Sequence, residues 1–274
     1  MMDLQQNFTE VMGNGYTAIV RNGWGEFLLE DLGNNFKNIQ RDDTVKIFRG
    51  RTTHFSYKPA GADKRVVVRR AKRGGFVSLL GGMYLSPSRP VSELRTSEGA
   101  ISSGINTPQI VAIRITSALP FFYTFTVLTE EIENAVELVT YIRDANLMLK
   151  CKLLQKLASE IRCLHNAGIY HSDLNLRNIL VKEIGSDIAI YFIDFDKTVI
   201  YNTGLSEKMR LNNISRLNRS VEKLLGKENI VTKRDRIRFL RYYGLEGEKL
   251  RTWSIKCAST LWWHKFLWSL KGKV

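Results

Sequence analysis

Short β-prone runs dominate the first half of the chain. Thr44 to Phe48, Thr53 to Lys58 and Arg65 to Arg70 each read as a strand. Gly50 interrupts the first pair, and Pro59-Ala60-Gly61-Ala62-Asp63 forms a turn before the third. A Gly- and Ser-rich stretch follows, and then Val91 to Ser103 reads as a helix, with Gly104 and Pro108 as its stops. Ile110 to Thr116 and Phe121 to Leu128 complete a β-β-β-α-β-β pattern, a small sheet crossed by one helix. Gly13-Asn14-Gly15, further upstream, reads as an ordinary turn.

The second half changes character. Leu147, Leu154, Leu157, Ile161 and Leu164 recur at helical spacing over Asn146 to Ala167, and Gly168 follows as a C-terminal cap. Ile179 to Lys182 and Ile188 to Ile193, separated by Gly185-Ser186-Asp187, read as a hairpin. Beyond about residue 205 the pattern is helical and basic. The change of character places a boundary at residues 129 to 136, with domains over 1–130 and 131–274.

Composition narrows the class. Over 274 residues, 44% apolar and 25% charged positions describe a globular chain with ample length for a core. No uninterrupted apolar run reaches the roughly 18 residues of a membrane span. The first ten residues carry two acids and no base, unlike a secretory signal. Three cysteines without CxxC spacing fit a reducing compartment better than a disulfide framework. Lys and Arg exceed Asp and Glu by 41 to 27, a net charge of +14. That charge suits nucleic acid, an anionic membrane surface or a phosphorylated substrate. No nucleic-acid-binding signature accompanies it, so nucleic acid is not expected as a partner.

The chemistry concentrates in His171-Ser172-Asp173-Leu174-Asn175-Leu176-Arg177-Asn178, between a capped helix and a strand. Ile193-Asp194-Phe195-Asp196 follows at the far end of the hairpin. Two acids and an amide thus sit on loops at the ends of short strands. Phosphoryl transfer uses such a set: one carboxylate takes the proton of the attacking hydroxyl, while a second carboxylate and an amide oxygen hold Mg2+ against the phosphates of ATP. Asp173 fits the first role, Asn178 and Asp194 the second. His171 is expected to brace the loop, because Asp173 already fills the role of base. The spacing is that of the protein-kinase catalytic loop.

HSDLNLRN with IDFD resembles the lipopolysaccharide kinases, the group that contains Kdo kinase and the inner-core heptose kinase, and within it Kdo kinase. Val67 to Gly75 resembles the third strand and following Arg-Gly-Gly turn of that family. Ser88-Arg89-Pro90 with Glu93 resembles the start of its helix, and Thr129 to Leu138 its hinge. The resemblance runs from about Gly50 to about Thr198. It implies an α+β, bilobal protein-kinase-like fold, with a small antiparallel-sheet N-lobe carrying one helix and a larger, mainly helical C-lobe. It also implies ATP-dependent phosphorylation of a sugar hydroxyl, Kdo before heptose, on lipid A at the cytoplasmic face of the inner membrane. In this register Arg69, in place of a lysine, clamps the nucleotide phosphates, with Glu93 as its helix acid and Glu98 as the other candidate. Gly50 stands at the turn that covers the phosphates.

Departures from protein kinases qualify the substrate. Ser172 replaces an arginine that reads a phosphorylated loop, Asp196 replaces a glycine, and the following segment is short. These point to a small or lipid-linked hydroxyl, with no protein partner evident. Four of the five tryptophans, Trp253, Trp262, Trp263 and Trp268, crowd the C-terminal stretch among lysines. They suit either a peripheral membrane contact or a helix packed on the core. Two other classes stay open: a small-molecule kinase of the aminoglycoside or choline type, and an inactive kinase-like binding module.

Overall fold

The computed structural model describes residues 6–39, 44–48, 54–71, 84, 86, 88–119 and 122–271. Two compact units emerge. One comprises residues 1–98 with 108–132, and the other 99–107 with 133–274.

The first unit is built on a seven-stranded antiparallel sheet. In chain order it contains β1 (Phe8–Gly13), β2 (Tyr16–Arg21), α1 (Gly25–Asn34), β3 (Lys46–Phe48), β4 (His54–Tyr57) and β5 (Val66–Ala71). The start of α2 (Ser88–Ser102), β6 (Ile110–Leu119) and β7 (Phe122–Glu130) complete it. The strand order is β1-β2-β6-β7-β5-β4-β3. Successive strand residues face opposite sides, so Leu128 and Val127 serve two different cores. Leu128 joins Val66, Val68, Phe55 and Tyr57 against Leu28 and Leu32 of α1. Val127 joins Ile113 and Phe8 against Leu94 of α2.

The N-terminal part departs from expectation. Gly13 to Gly15 is the turn of a true hairpin, with Gly13 opposite Tyr16, and it adds two strands to the five expected. Helix α1 adds a second helix where one was expected. Strand β1 leaves most of its residues exposed, as an outer strand does, so apolar and polar positions do not alternate cleanly along it. Gly50 lies outside the described residues.

The second unit adds β8 (Val136–Glu137), α3 (Leu138–Asp144), α4 (Leu147–Asn166), β9 (Ile169–Tyr170), β10 (Ile179–Ile184) and β11 (Asp187–Phe192). It ends with β12 (Val199–Ile200), α5 (Glu207–Leu225), α6 (Lys233–Tyr242) and α7 (Gly247–Lys271). The 3.6-residue periodicity of α4 buries Leu154, Leu157, Ile161 and Leu164 together. Its N-cap Asn146 accepts from the Leu149 N–H, and Gly168 beyond its end takes φ 74°. The main core gathers these with Ile179, Ile190, Phe192, Ile214, Leu217 and Trp253. Trp253 is 2% exposed, and its indole N–H donates to Glu207. That member of the tryptophan cluster therefore belongs to the core.

The division between the units falls two residues beyond the expected one, after Ile132. Residues 99–107 also fall in the second unit, because Ala100 and Ile105 bury in its core. The Asn106 carbonyl in addition accepts from the Phe192 N–H.

Candidate active site

The catalytic loop runs from His171 to a 3₁₀ turn at Leu176–Asn178, where the Arg177 N–H donates to the Asn175 side chain. The loop is tied to the Ile193–Asp196 segment at two points. The Ile193 N–H donates to the Asn178 carbonyl at 3.0 Å. His171 Nε2 meets the Ile193 carbonyl at 3.0 Å. The Asp173 N–H donates to His171 Nδ1 at 3.3 Å, so the ring proton sits on Nε2 and goes to Ile193. His171 is fully buried with Phe195 edge-on at 5.3 Å. Burial holds its pKa below the ordinary value, against the pull of the Ile193 carbonyl and the Asp194 and Asp173 carboxylates. A buried neutral imidazole with both nitrogens engaged braces the loop and leaves acid–base work to others.

Asp173 is exposed, with its backbone carbonyl accepting from Asn178 Nδ2 at 2.8 Å and from Asn175 Nδ2 at 3.0 Å. Asn178 Nδ2 also reaches Asp173 Oδ2 at 3.3 Å. With its amide nitrogen so spent, Asn178 keeps its Oδ1 as the acceptor available to a cation. Asp194 follows directly on the residue bonded to Asn178 and holds φ 64°, a left-handed conformation uncommon outside glycine. Its Oδ1 is buried.

This donor set fits magnesium. Among the described residues no three His, Cys, Asp or Glu side chains cluster as a self-sufficient metal site. Magnesium does not require one, since it binds through one or two protein oxygens and takes the rest from phosphates and water. Asn178 Oδ1 and the Asp194 carboxylate are the two oxygens that would hold it, and it would supply charge neutralisation at the phosphates.

Behind the loop lies a buried polar chain that sequence reasoning missed. Asn213 of α5 donates from Nδ2 to the His171 carbonyl at 2.8 Å. Its Oδ1 meets His165 Nε2 at 3.2 Å, and His165 Nδ1 meets the Tyr243 hydroxyl at 2.8 Å. Arg210 closes the chain onto Tyr243 at 3.4 Å and Asn166 at 2.9 Å. Every polar atom of Asn213 and His165 is thus paired, the condition under which a buried network rigidifies its surroundings. The sequence shows Asn213 only as one polar residue in a basic helix, with nothing to tell an inward amide from a solvated one.

The segment after Asp196 is pinned as well. Ser172 Oγ donates to the Lys197 carbonyl, Val199 pairs with Tyr170 in β12–β9, and the Tyr201 N–H donates to the Gly168 carbonyl at 2.9 Å. A Cβ at Gly168 would stand 2.3 Å from the Tyr201 carbonyl oxygen.

In the first unit, Arg69 on β5 forms an ion pair with Glu93 on α2. Glu98, the other candidate acid, pairs instead with Arg21 on β2. Arg69 is 27% and Glu93 10% exposed at the side chain, so the pair is partly desolvated. Arg70 is exposed on the opposite face.

A seven-stranded antiparallel sheet followed by a helical unit carrying an HxDxxxxN loop and an Asp-bearing hairpin end defines a protein-kinase-like phosphotransferase fold. The chain matches WaaP as solved in complex with acyl carrier protein at TM-score 0.57 and 19% identity, over 90% of this chain and 96% of that one. A family model, the lipopolysaccharide kinase (Kdo/WaaP) family, matches residues 78–243, and the chain belongs to that family. Curated relatives named 3-deoxy-D-manno-octulosonic acid kinase agree. The protein of Vibrio cholerae serotype O1 is 29% identical over 60% of this chain and 68% of its own length. That of Vibrio parahaemolyticus serotype O3:K6 is 33% identical over 61% and 68%. That of Haemophilus influenzae strain 86-028NP is 31% identical over 53% and 59%. The chain is a kinase acting on a lipopolysaccharide sugar, and its family implies ATP as the donor.

Proposed function

We propose that the chain phosphorylates a hydroxyl of Kdo in the inner core on lipid A, using ATP and Mg2+. The observation that carries this reading is the match to three 3-deoxy-D-manno-octulosonic acid kinases at 29%, 33% and 31% identity. In the reaction the acceptor oxygen forms a bond to the γ-phosphorus, the bond from that phosphorus to ADP breaks, and the hydroxyl proton passes to Asp173. The Asn178 bond to the Asp173 carbonyl fixes the height of that carboxylate, and neutral His171 fixes the loop from behind. Arg69 pairs the nucleotide phosphates, and Glu93 keeps its guanidinium extended.

The site of action in this reading is the cytoplasmic face of the inner membrane, with the protein held peripherally. No helix among the described residues is long and apolar enough to cross a membrane. On α6, Lys233, Arg234, Arg238 and Arg241 are exposed along one side, with Ile237 38% and Tyr242 37% exposed among them. Cations interleaved with half-exposed apolar groups suit an anionic lipid surface, where each Lys or Arg contributes about 1 kcal/mol. The protein should sediment with anionic vesicles at low salt and release at about 0.5 M, where screening shortens to a few ångströms.

The deciding experiment offers purified protein Kdo–lipid A and heptose-extended lipid A with Mg2+-ATP and reads the products by mass spectrometry. One added phosphate on the Kdo fragment is the expected result. Transfer to the heptose fragment alone would replace Kdo as the acceptor.

A further inference from the structure

Helix α5 lies along the catalytic loop and touches it on both sides of Asp173. Asn213 donates to the His171 carbonyl, and Ser220 Oγ accepts from the Leu176 N–H at 3.1 Å. At 100° per residue, Arg216 stands about 60° from Asn213 and about 40° from Ser220 around the helix. It therefore shares the face that follows the loop. Arg219, three residues on, is its neighbour on the helix surface.

These two guanidiniums are unusual in what surrounds them. Both side chains are half-buried. Among the described residues no carboxylate comes within ion-pair distance of either, while Arg21, Arg65, Arg69, Arg143 and Arg236 all have one. Arg216 Nε is buried and has no hydrogen-bond partner. Burial and the Arg216 cation together hold Arg219 below the usual guanidinium pKa, while Tyr170, at the entry to the loop, and Cys257 of α7 act the other way. Two like charges partly removed from water, without a counter-charge, are a cost that folding alone does not repay. The fork of a guanidinium matches a carboxylate or a phosphate with two parallel hydrogen bonds.

We propose that Arg216 and Arg219 form the subsite that receives an acidic group of the acceptor, foremost the carboxylate of the octulosonic acid. The subsite rests on reading the chain as a kinase of a lipopolysaccharide sugar. Asn213 and Ser220 set its position relative to Asp173, so the acid group fixes which hydroxyl stands before the base. A carboxylate and an ester phosphate would be held by the same chemistry, and the two sources differ in where they sit on the acceptor.

The test compares wild type with Arg216→Gln and Arg219→Gln on Kdo–lipid A, on its Kdo methyl ester, and on Kdo–lipid A stripped of the lipid phosphates. Wild type should show a KM for the ester about 10- to 100-fold above that for the acid, the size of losing a charge-assisted pair of hydrogen bonds. Each variant should raise the KM for the acid toward that of the ester, leave the KM for ATP unchanged, and melt no lower than wild type. A structural role would lower the melt instead. Should discrimination follow the lipid phosphates, the subsite holds and its ligand is the phosphate. Should both variants keep wild-type acceptor KM values, the subsite is wrong and the function stands. A second readout needs no turnover: calorimetry of free octulosonic acid binding to protein saturated with Mg2+-ADP. Binding by wild type that Arg216→Gln abolishes keeps the subsite even if no phosphate reaches Kdo. Equal binding by both proteins overturns it.

Discussion

His165 links the catalytic loop to the folded core and makes the protein acid-sensitive by a calculable amount. Burial lowers its pKa from 6.5 to about 4, with Asn213 opposing and the Arg210 cation reinforcing that shift. The unfolded chain therefore binds a proton between pH 6.5 and 4 that the folded chain refuses. Its contribution is complete above pH 6.5 and is lost as pH falls toward 4. At about 1.4 kcal/mol per pH unit, the loss comes to about 2 kcal/mol by pH 5 and about 3 kcal/mol by pH 4. His165→Gln keeps a donor for Asn213 Oδ1 and an acceptor for the Tyr243 hydroxyl but cannot titrate. Urea unfolding at pH 7.5, 6, 5 and 4 should show the variant somewhat weaker at neutral pH. Its acid limb should be flatter by about 2 kcal/mol at pH 5. His171 titrates in the same direction in both proteins and cancels from the comparison. Stability curves that stay parallel from pH 7.5 to 4 would refute a neutral, buried His165.

Three further outcomes follow from named contacts. Asp173→Ala should lower kcat by about 10²-fold or more with nucleotide binding retained, whereas Asp194→Ala should weaken magnesium-dependent nucleotide binding as well, both read by steady-state kinetics and ADP titration. Arg69→Ala and Glu93→Ala should each raise the KM for ATP and add little in the double variant, because they act as one pair; full additivity would separate them. Asp235 is 5% exposed at the side chain, pairs with Lys150 at 2.8 Å and closes a capping box with Thr232, so Asp235→Ala should cost about 3 kcal/mol or more in urea unfolding. A loss below 1 kcal/mol would place that pair in water.

The parts of this molecule that repeat a local rule were legible in the sequence. The leucines of α4, the Gly168 cap and the β10–β11 hairpin each carry a periodicity or a turn residue that fixes them. The spacing from Asp173 to Asn178 and Asp194 does the same for the loops. Elements whose stability comes from distant partners were not legible. Strand β1 is largely exposed on one side of its hairpin, and α1 is held by Leu28 and Leu32 meeting strands far along the chain. The choice between Glu93 and Glu98 turns on which strand each faces, and helix position alone does not contain that information. The Tyr243–His165–Asn213 chain spans residues up to 78 positions apart, beyond any local pattern.

The stitched segment after Asp196 has a consequence for how its order is maintained. Ser172 to Lys197, Tyr170 to Val199 and Gly168 to Tyr201 hold this stretch against the loop without any phosphate group. Gly168 has no space for even a methyl group against Tyr201. The stretch is thus ordered by the fold's own contacts, and docking it requires no phosphate group on this segment.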